Sequence, residues 1–193
     1  MTFNSWEFLI FYPITLLLYF LLPKKWSRIS LLFMSAIFYL AWNYKLIVLI
    51  MFTTAVSYFC ARIIEKTEKK AVKKLCLVVT LIACLGVLFF FKYYNFLAET
   101  LGWAIKAAGG GTYDFTLNLV LPVGISFYTF QTLSYAIDVY RGTEKVEKDF
   151  ALYCLFVTFF PQLVAGPIER PGNLIPQLRE KNKLTAENAR AGL

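Results

Sequence analysis

The chain has 193 residues, of which 59% are hydrophobic, 18% aromatic and only 17% charged, with a net charge of +8 and no histidine. Average soluble domains are about 45–50% apolar and about 25% charged, so this composition leaves too little polar surface to cover a globule in water. It excludes an ordinary soluble domain and points to a chain embedded in a lipid bilayer.

Six apolar runs follow one another. The first covers residues 8–22, led by Trp6 and closed by Pro23, Lys24 and Lys25. No Lys or Arg precedes it and no small-residue cleavage site follows, so it is not expected to be a signal peptide. The second covers 29–40 and ends at Trp42, Asn43 and Tyr44, and the third covers 46–61 before a basic segment from Arg62 to Lys74. The fourth, 75–91, ends at Lys92, Tyr93 and Tyr94. A soft stretch at 107–112, holding Gly109, Gly110 and Gly111, separates it from the fifth at 117–140. The sixth, 150–165, is interrupted by Pro161. A spanning helix needs about 20 residues, in a range of about 17–25. Several of these runs are shorter, unless the flanking aromatics are counted where interfacial belts place them. The expectation is all-α: about five transmembrane spans plus a broken or re-entrant segment, in a locally thinned bilayer.

Lys and Arg set the orientation. The first, third and fifth connections carry twelve of them, against three for the N-terminus and the other two connections. Positive charge stays cytoplasmic, which puts the N-terminus outside. It also argues against nucleic acid as a partner, because the cations cap apolar runs and do not line a polar face. The segment after the sixth run is basic too, with Arg170, Arg179, Lys181, Lys183 and Arg190. Simple alternation would leave it outside. A crossing and a re-entrant segment both satisfy the hydrophobicity of 150–165; the charge and Pro161 favour a return to the cytoplasmic side.

Two segments could carry chemistry. In the fifth run, Gln131, Ser134, Asp138 and Arg141 recur at steps of three and four and share a helix face. Phe130, Leu133, Ile137 and Tyr140 form an apolar stripe on another. Asp138 either faces a polar interior or pairs with Arg141 near the helix end. The second segment, 159–171, contains three prolines and a glycine and is expected to interrupt any regular helix. Gln162, Glu169 and Arg170 could satisfy its freed backbone groups. It could line an entry for a polar substrate or form an elbow at the membrane surface. Cys60, Cys76, Cys84 and Cys154 lie in or beside apolar runs with no metal-ligand spacing and are expected as buried thiols. The glycine triplet lacks the Lys-Ser/Thr of a phosphate loop. No catalytic residue is assigned: without histidine, no Ser-His-Asp or Cys-His arrangement can form.

The segment LPVGISFYTFQ at 121–131, continuing to DVYRG at 138–142, resembles the membrane-bound O-acyltransferase family in its alginate O-acetyltransferase branch. FFPQLVAGP at 159–167 is similar to that branch's next motif, and more loosely so are FYLAWN at 38–43 and FKYYNF at 91–96. The resemblance implies part of a helical ring around a narrow tunnel through a thinned membrane. It implies transfer of an acyl group, commonly acetyl, from a thioester donor such as acetyl-CoA to hydroxyls of an exported polysaccharide such as alginate. It implies no bound cofactor, exported partner proteins that complete the modification, and a place in the bacterial inner membrane. The family's catalytic histidine lies in a later helix, so residues 1–193 are expected to be the N-terminal part of one membrane-embedded domain. A transporter-like module or a non-catalytic membrane scaffold are the alternatives; the paired inverted halves common in transporters are not visible.

Overall fold

A computed structural model describes residues 5–43, 47–111, 115–122, 124–167 and 169–181. Tyr44, Lys45 and residues 112–114 and 182–193 lie outside them. Every regular element among the described residues is a helix: α1 (Trp6–Leu21), α2 (Lys24–Asn43), α3 (Ile47–Lys66), α4 (Lys70–Ala107), α5 (Ile125–Arg141), α6 (Phe150–Thr158), α7 (Phe160–Ala165) and α8 (Pro171–Arg179).

The boundaries follow local chemistry. Ser5 opens α1 by accepting the Phe8 amide at 3.3 Å, as an N-cap serine does. Leu22 is extended, with ψ 149, because Pro23 disfavours the helical region in the residue before it. Ser27 then donates to the Tyr19 carbonyl at 2.9 Å and fastens the α1–α2 corner. Gly124 and Gly142 bound α5 with φ 69 and 76, a left-handed backbone that a Cβ disfavours.

α3 and α4 are each long and apolar enough to cross a membrane. α4 overruns its expected end: it continues from Lys92 through Tyr94 to Ala107, 38 residues in all. The polar residues that suggested a terminus find partners beside the helix instead. Asn95 donates to the Leu117 carbonyl at 2.8 Å and accepts its amide at 2.9 Å, and Lys92 reaches Ser126 Oγ at 3.2 Å.

The sixth run breaks two residues before the proline that causes it. Phe159 leaves the helix at ψ 105, and Pro161 falls in the first turn of α7. There its missing N–H is tolerated, whereas continuing α6 would set its ring against the carbonyl four residues back. The expectation that 159–171 interrupts regular helix holds only at Phe159 and between α7 and α8. Pro171 likewise sits in the first turn of α8.

α3, α4 and α5 pack on one another, α1 pairs with α2, and α6 lies between α2 and α8. Tyr128, Tyr135, Tyr153, Phe156 and Phe160 are the largest fully buried side chains. Cys60, Cys76, Cys84 and Cys154 are buried and unbridged. The outer surface is also apolar: Leu9, Leu17, Ile82, Phe89, Phe96 and Trp103 are all exposed. An apolar rim on this scale marks a surface made for contact with something other than water. This is a helical membrane protein.

The charged connections meet on one face. Arg28, early in α2, pairs with Asp149 before α6 at 3.7 Å, and Lys148 pairs with Glu65 near the end of α3 at 3.9 Å. Lys181 donates to the carbonyls of Phe20 and Leu22 at the end of α1, at 2.9 and 2.6 Å. The segment α6–α7–α8 therefore comes back to the face from which it started.

Candidate functional site: a polar seam and a charged cleft

The inward face of α5 is polar. Tyr128, Gln131, Thr132 and Tyr135 are all buried, at the three- and four-residue steps that stack side chains on one side of a helix. Of the expected face, Gln131 belongs to this seam. Ser134 and Asp138 are half-buried at its edge, and Arg141 is exposed. The expected apolar stripe splits as well, with Leu133 inward and Phe130 and Tyr140 outward.

The pairing of Asp138 with Arg141 does not form. Among the described residues the ion pairs are Arg28–Asp149, Arg62–Glu65, Lys148–Glu65 and Arg179–Glu147. Arg141 stands exposed immediately before the chain reverses at Gly142. What Asp138 contributes to that reversal is its carbonyl, which accepts the Thr143 and Glu144 amides at 3.0 and 3.3 Å.

The seam reaches the helix break through two glutamines. Gln131 donates to the Phe156 carbonyl at 2.9 Å and to Gln162 Oε1 at 3.2 Å. Gln162 in turn donates to the Pro167 carbonyl at 2.9 Å. Buried backbone groups freed at a break need partners when no water competes for them, and these two side chains supply them. Glu169 and Arg170 are not part of this knot. Glu169 accepts from Asn173 at 2.6 Å, and Arg170 offers its carbonyl to the first amides of α8.

At its other end the seam abuts a charged cleft of about 670 Å³. Glu147 is 5% exposed at its edge and fully satisfied. Its Oε1 accepts the amides of Lys148 and Asp149 at 2.9 and 3.0 Å, and its Oε2 takes Arg179. The Glu147 amide donates to the Tyr135 hydroxyl at 3.0 Å, which joins cleft to seam. Lys73, Lys145 and Lys148 line the cleft with Glu65 and Glu144. Gly172 also lines the cleft, and the Glu144 carboxylate lies against it in the space a Cβ would take. None of Glu147, Arg179 or Tyr135 stands out in the sequence as a site residue. Glu147 lies in a run of alternating charges that looks like any solvated loop, and only the tertiary fold buries it.

No family model and no solved structure matches the chain. Curated relatives do. The chain is 34% identical over 95% of its length to the peptidoglycan O-acetyltransferase of Helicobacter pylori, covering 40% of that protein. It is 34% identical over 94% of its length to the probable alginate O-acetylase AlgI of Pseudomonas aeruginosa, and 35% identical over 94% to that of Pseudomonas syringae. Each of these two matches covers 35% of the relative. The chain thus spans well under half the length of the relatives it matches. Along nearly all of its own length, the chain is similar to part of these alginate and peptidoglycan O-acetylating proteins.

Proposed function

We propose that residues 1–193 form the N-terminal part of the membrane-embedded domain of a bacterial O-acyltransferase. The enzyme moves an acetyl group from a thioester donor such as acetyl-CoA to hydroxyls of an exported polysaccharide such as alginate. The single observation that carries this is identity at 34–35% to named O-acetylating enzymes along 94–95% of the chain.

The geometry supplies roles for its residues. The charged face is cytoplasmic by the positive-inside rule, so the N-terminus is outside, in the inner membrane. About five helices span, and α6–α7–α8 is re-entrant, part of a ring around a tunnel. The donor comes to the cleft bearing Lys73, Lys145, Lys148 and Arg179. The seam of Gln131 and Gln162, with Ser134 and Asp138 at its edge, lines the route inward, and Glu169, Arg170 and Arg141 stand at its rim. A hydroxyl attacking a thioester gains typically 10²–10⁴-fold from a positioned base. That base is a histidine from the rest of an enzyme of the relatives' length. Exported acyltransferase partners complete the transfer outside.

The test is acetyl transfer by the full-length gene product in membrane vesicles, from radiolabelled acetyl thioester on the charged side to polysaccharide. Label appearing on polysaccharide, and lost when the donor is given only from the other side, supports the reading. Uptake of the polysaccharide without acetylation would replace it with transport.

A further inference from the structure

A crevice of about 180 Å³ opens between the packed helices α2 and α6, at the charged face. Both helices start at that face and run inward, and their sequences separate charge from apolar surface along the crevice. Lys25, Arg28 and Asp149 stand at its mouth, while Ile29, Leu32, Leu152 and Leu155 line it deeper in. At 1.5 Å of rise per residue, Leu32 lies about 6 Å further in than Arg28. Leu152 and Leu155 are 2% and 1% exposed and Ile29 is 44% exposed, so the crevice has a closed floor and an open side.

The fold does not use up the cations at the mouth. Lys25 is exposed and makes no ion pair among the described residues. Arg28 Nη1 stays 3.7 Å from Asp149 Oδ2, and Arg28 Nε is buried with no hydrogen-bond partner. The other Asp149 oxygen caps α6, accepting the Ala151 and Leu152 amides at 3.0 and 3.3 Å. Two cations therefore face one carboxylate that is already half engaged. Trp26, beside Lys25 in sequence, is 60% exposed. Tryptophans at the ends of membrane helices lie at the level of the lipid headgroups, which sets the mouth among phosphates and the walls among acyl chains.

We propose that the crevice between α2 and α6 binds an anionic phospholipid, its phosphate on Lys25 and Arg28 and the upper part of one acyl chain along Ile29 and Leu32. Basic pockets between membrane helices recognise anionic headgroups in this way. The cations select an anion, and the apolar walls select a lipid over a water-soluble phosphate, which would gain nothing from Leu152 and Leu155. No lining residue is shared with the cleft at Lys73 and Arg179, and the site does not depend on acyl transfer.

Native mass spectrometry tests it, on the full-length gene product released from nanodiscs holding equal amounts of phosphatidylglycerol and phosphatidylcholine with the same chains. We expect the wild type to retain phosphatidylglycerol preferentially. Lys25→Gln changes an exposed residue outside every ion pair described and should cut that preference about fivefold, the factor one surface cation is worth to an anionic lipid. Lys66→Gln removes an exposed charge outside the crevice and should leave the preference unchanged. Ala151→Phe keeps both cations and fills the crevice from its exposed rim; it should lower phosphatidylglycerol retention at unchanged melting temperature. No preference in the wild type, no loss in Lys25→Gln or an equal loss in Lys66→Gln overturns the site. Undiminished retention in Ala151→Phe overturns it too, by reducing it to a patch that holds phosphate alone.

Discussion

Gln131 holds both sides of a broken helix with one side-chain amide. It reaches the Phe156 carbonyl within α6 and the Gln162 side chain within α7, on opposite sides of Phe159. Gln131→Leu keeps the bulk and removes the donor, stranding a buried carbonyl and the Gln162 oxygen. The expected loss is about 1–3 kcal/mol of stability, read as a lower melting temperature in detergent. Gln162→Leu should cost less than the sum when added to Gln131→Leu, since the two share a partner. Full additivity would show that they act separately.

The Glu147–Arg179 pair joins a buried group to an exposed one, with side chains 5% and 57% exposed. Removing the exposed cation leaves Glu147 two backbone amides. Arg179→Ala is therefore expected to destabilise by about 1–2 kcal/mol, below the loss for a fully buried pair. Glu147→Ala should cost more, because three hydrogen bonds go and the Lys148 and Asp149 amides are left behind. Chemical denaturation in mixed micelles would measure the order, and a larger effect for Arg179→Ala would contradict it.

Asp138 has no ion-pair partner among the described residues, so its carboxylate contributes little to the fold. Asp138→Asn is expected to change stability by under about 0.5 kcal/mol. If it faces the reaction path as proposed, acetyl transfer by the full-length protein falls at least tenfold at unchanged expression. Activity equal to wild type would remove Asp138 from the site.

Orientation can be read with single cysteines in a background lacking the four native ones. A cysteine at position 66 or 73 should be shielded from an impermeant maleimide in intact cells, and one at position 108 should react. External labelling within 62–74 would invert the assignment.

Residues 1–193 alone are expected to transfer no acetyl group from a thioester, because no imidazole is present to accept the hydroxyl proton near neutral pH. A chain extended to the relatives' length should be active, and changing its histidine to alanine should abolish turnover. Protein-dependent turnover by the 193 residues themselves would rule out the histidine mechanism.

Much of the fold was legible because lipid simplifies the code. Apolar runs gave α1, α2, α3 and the start of α4, and the fifth run at 117–140 contains α5, which begins only after Gly124. Pro161 announced the break. The overrun of α4 was not legible, because Lys92 and Asn95 resemble a helix end until Ser126 and Leu117, remote in sequence, appear beside them. Gln131 and Gln162 were each visible as polar residues in apolar runs, but their meeting depends on the α5–α7 contact. The Asp138–Arg141 expectation failed for a local reason: three-residue spacing permits a pair but does not oblige a side chain at a helix end to turn inward. Glu147 and Arg179 carried no sequence signal, since burial of a loop carboxylate is decided by what folds over it.

The clasp at Lys181 has a consequence for the order in which the molecule is made. α1 has no basic residue in its own last turn; the ammonium that meets its terminal carbonyls belongs to Lys181, 161 positions downstream of Phe20. During synthesis α1 leaves the ribosome long before Lys181 does. Throughout that interval the carbonyls of Phe20 and Leu22 lack their final donor and must stay hydrated. The first helix is therefore completed from just beyond α8, when Lys181 reaches the Phe20 and Leu22 carbonyls. A nascent chain stopped before Lys181 would leave this corner unlatched, open to water, quality-control proteases or a chaperone.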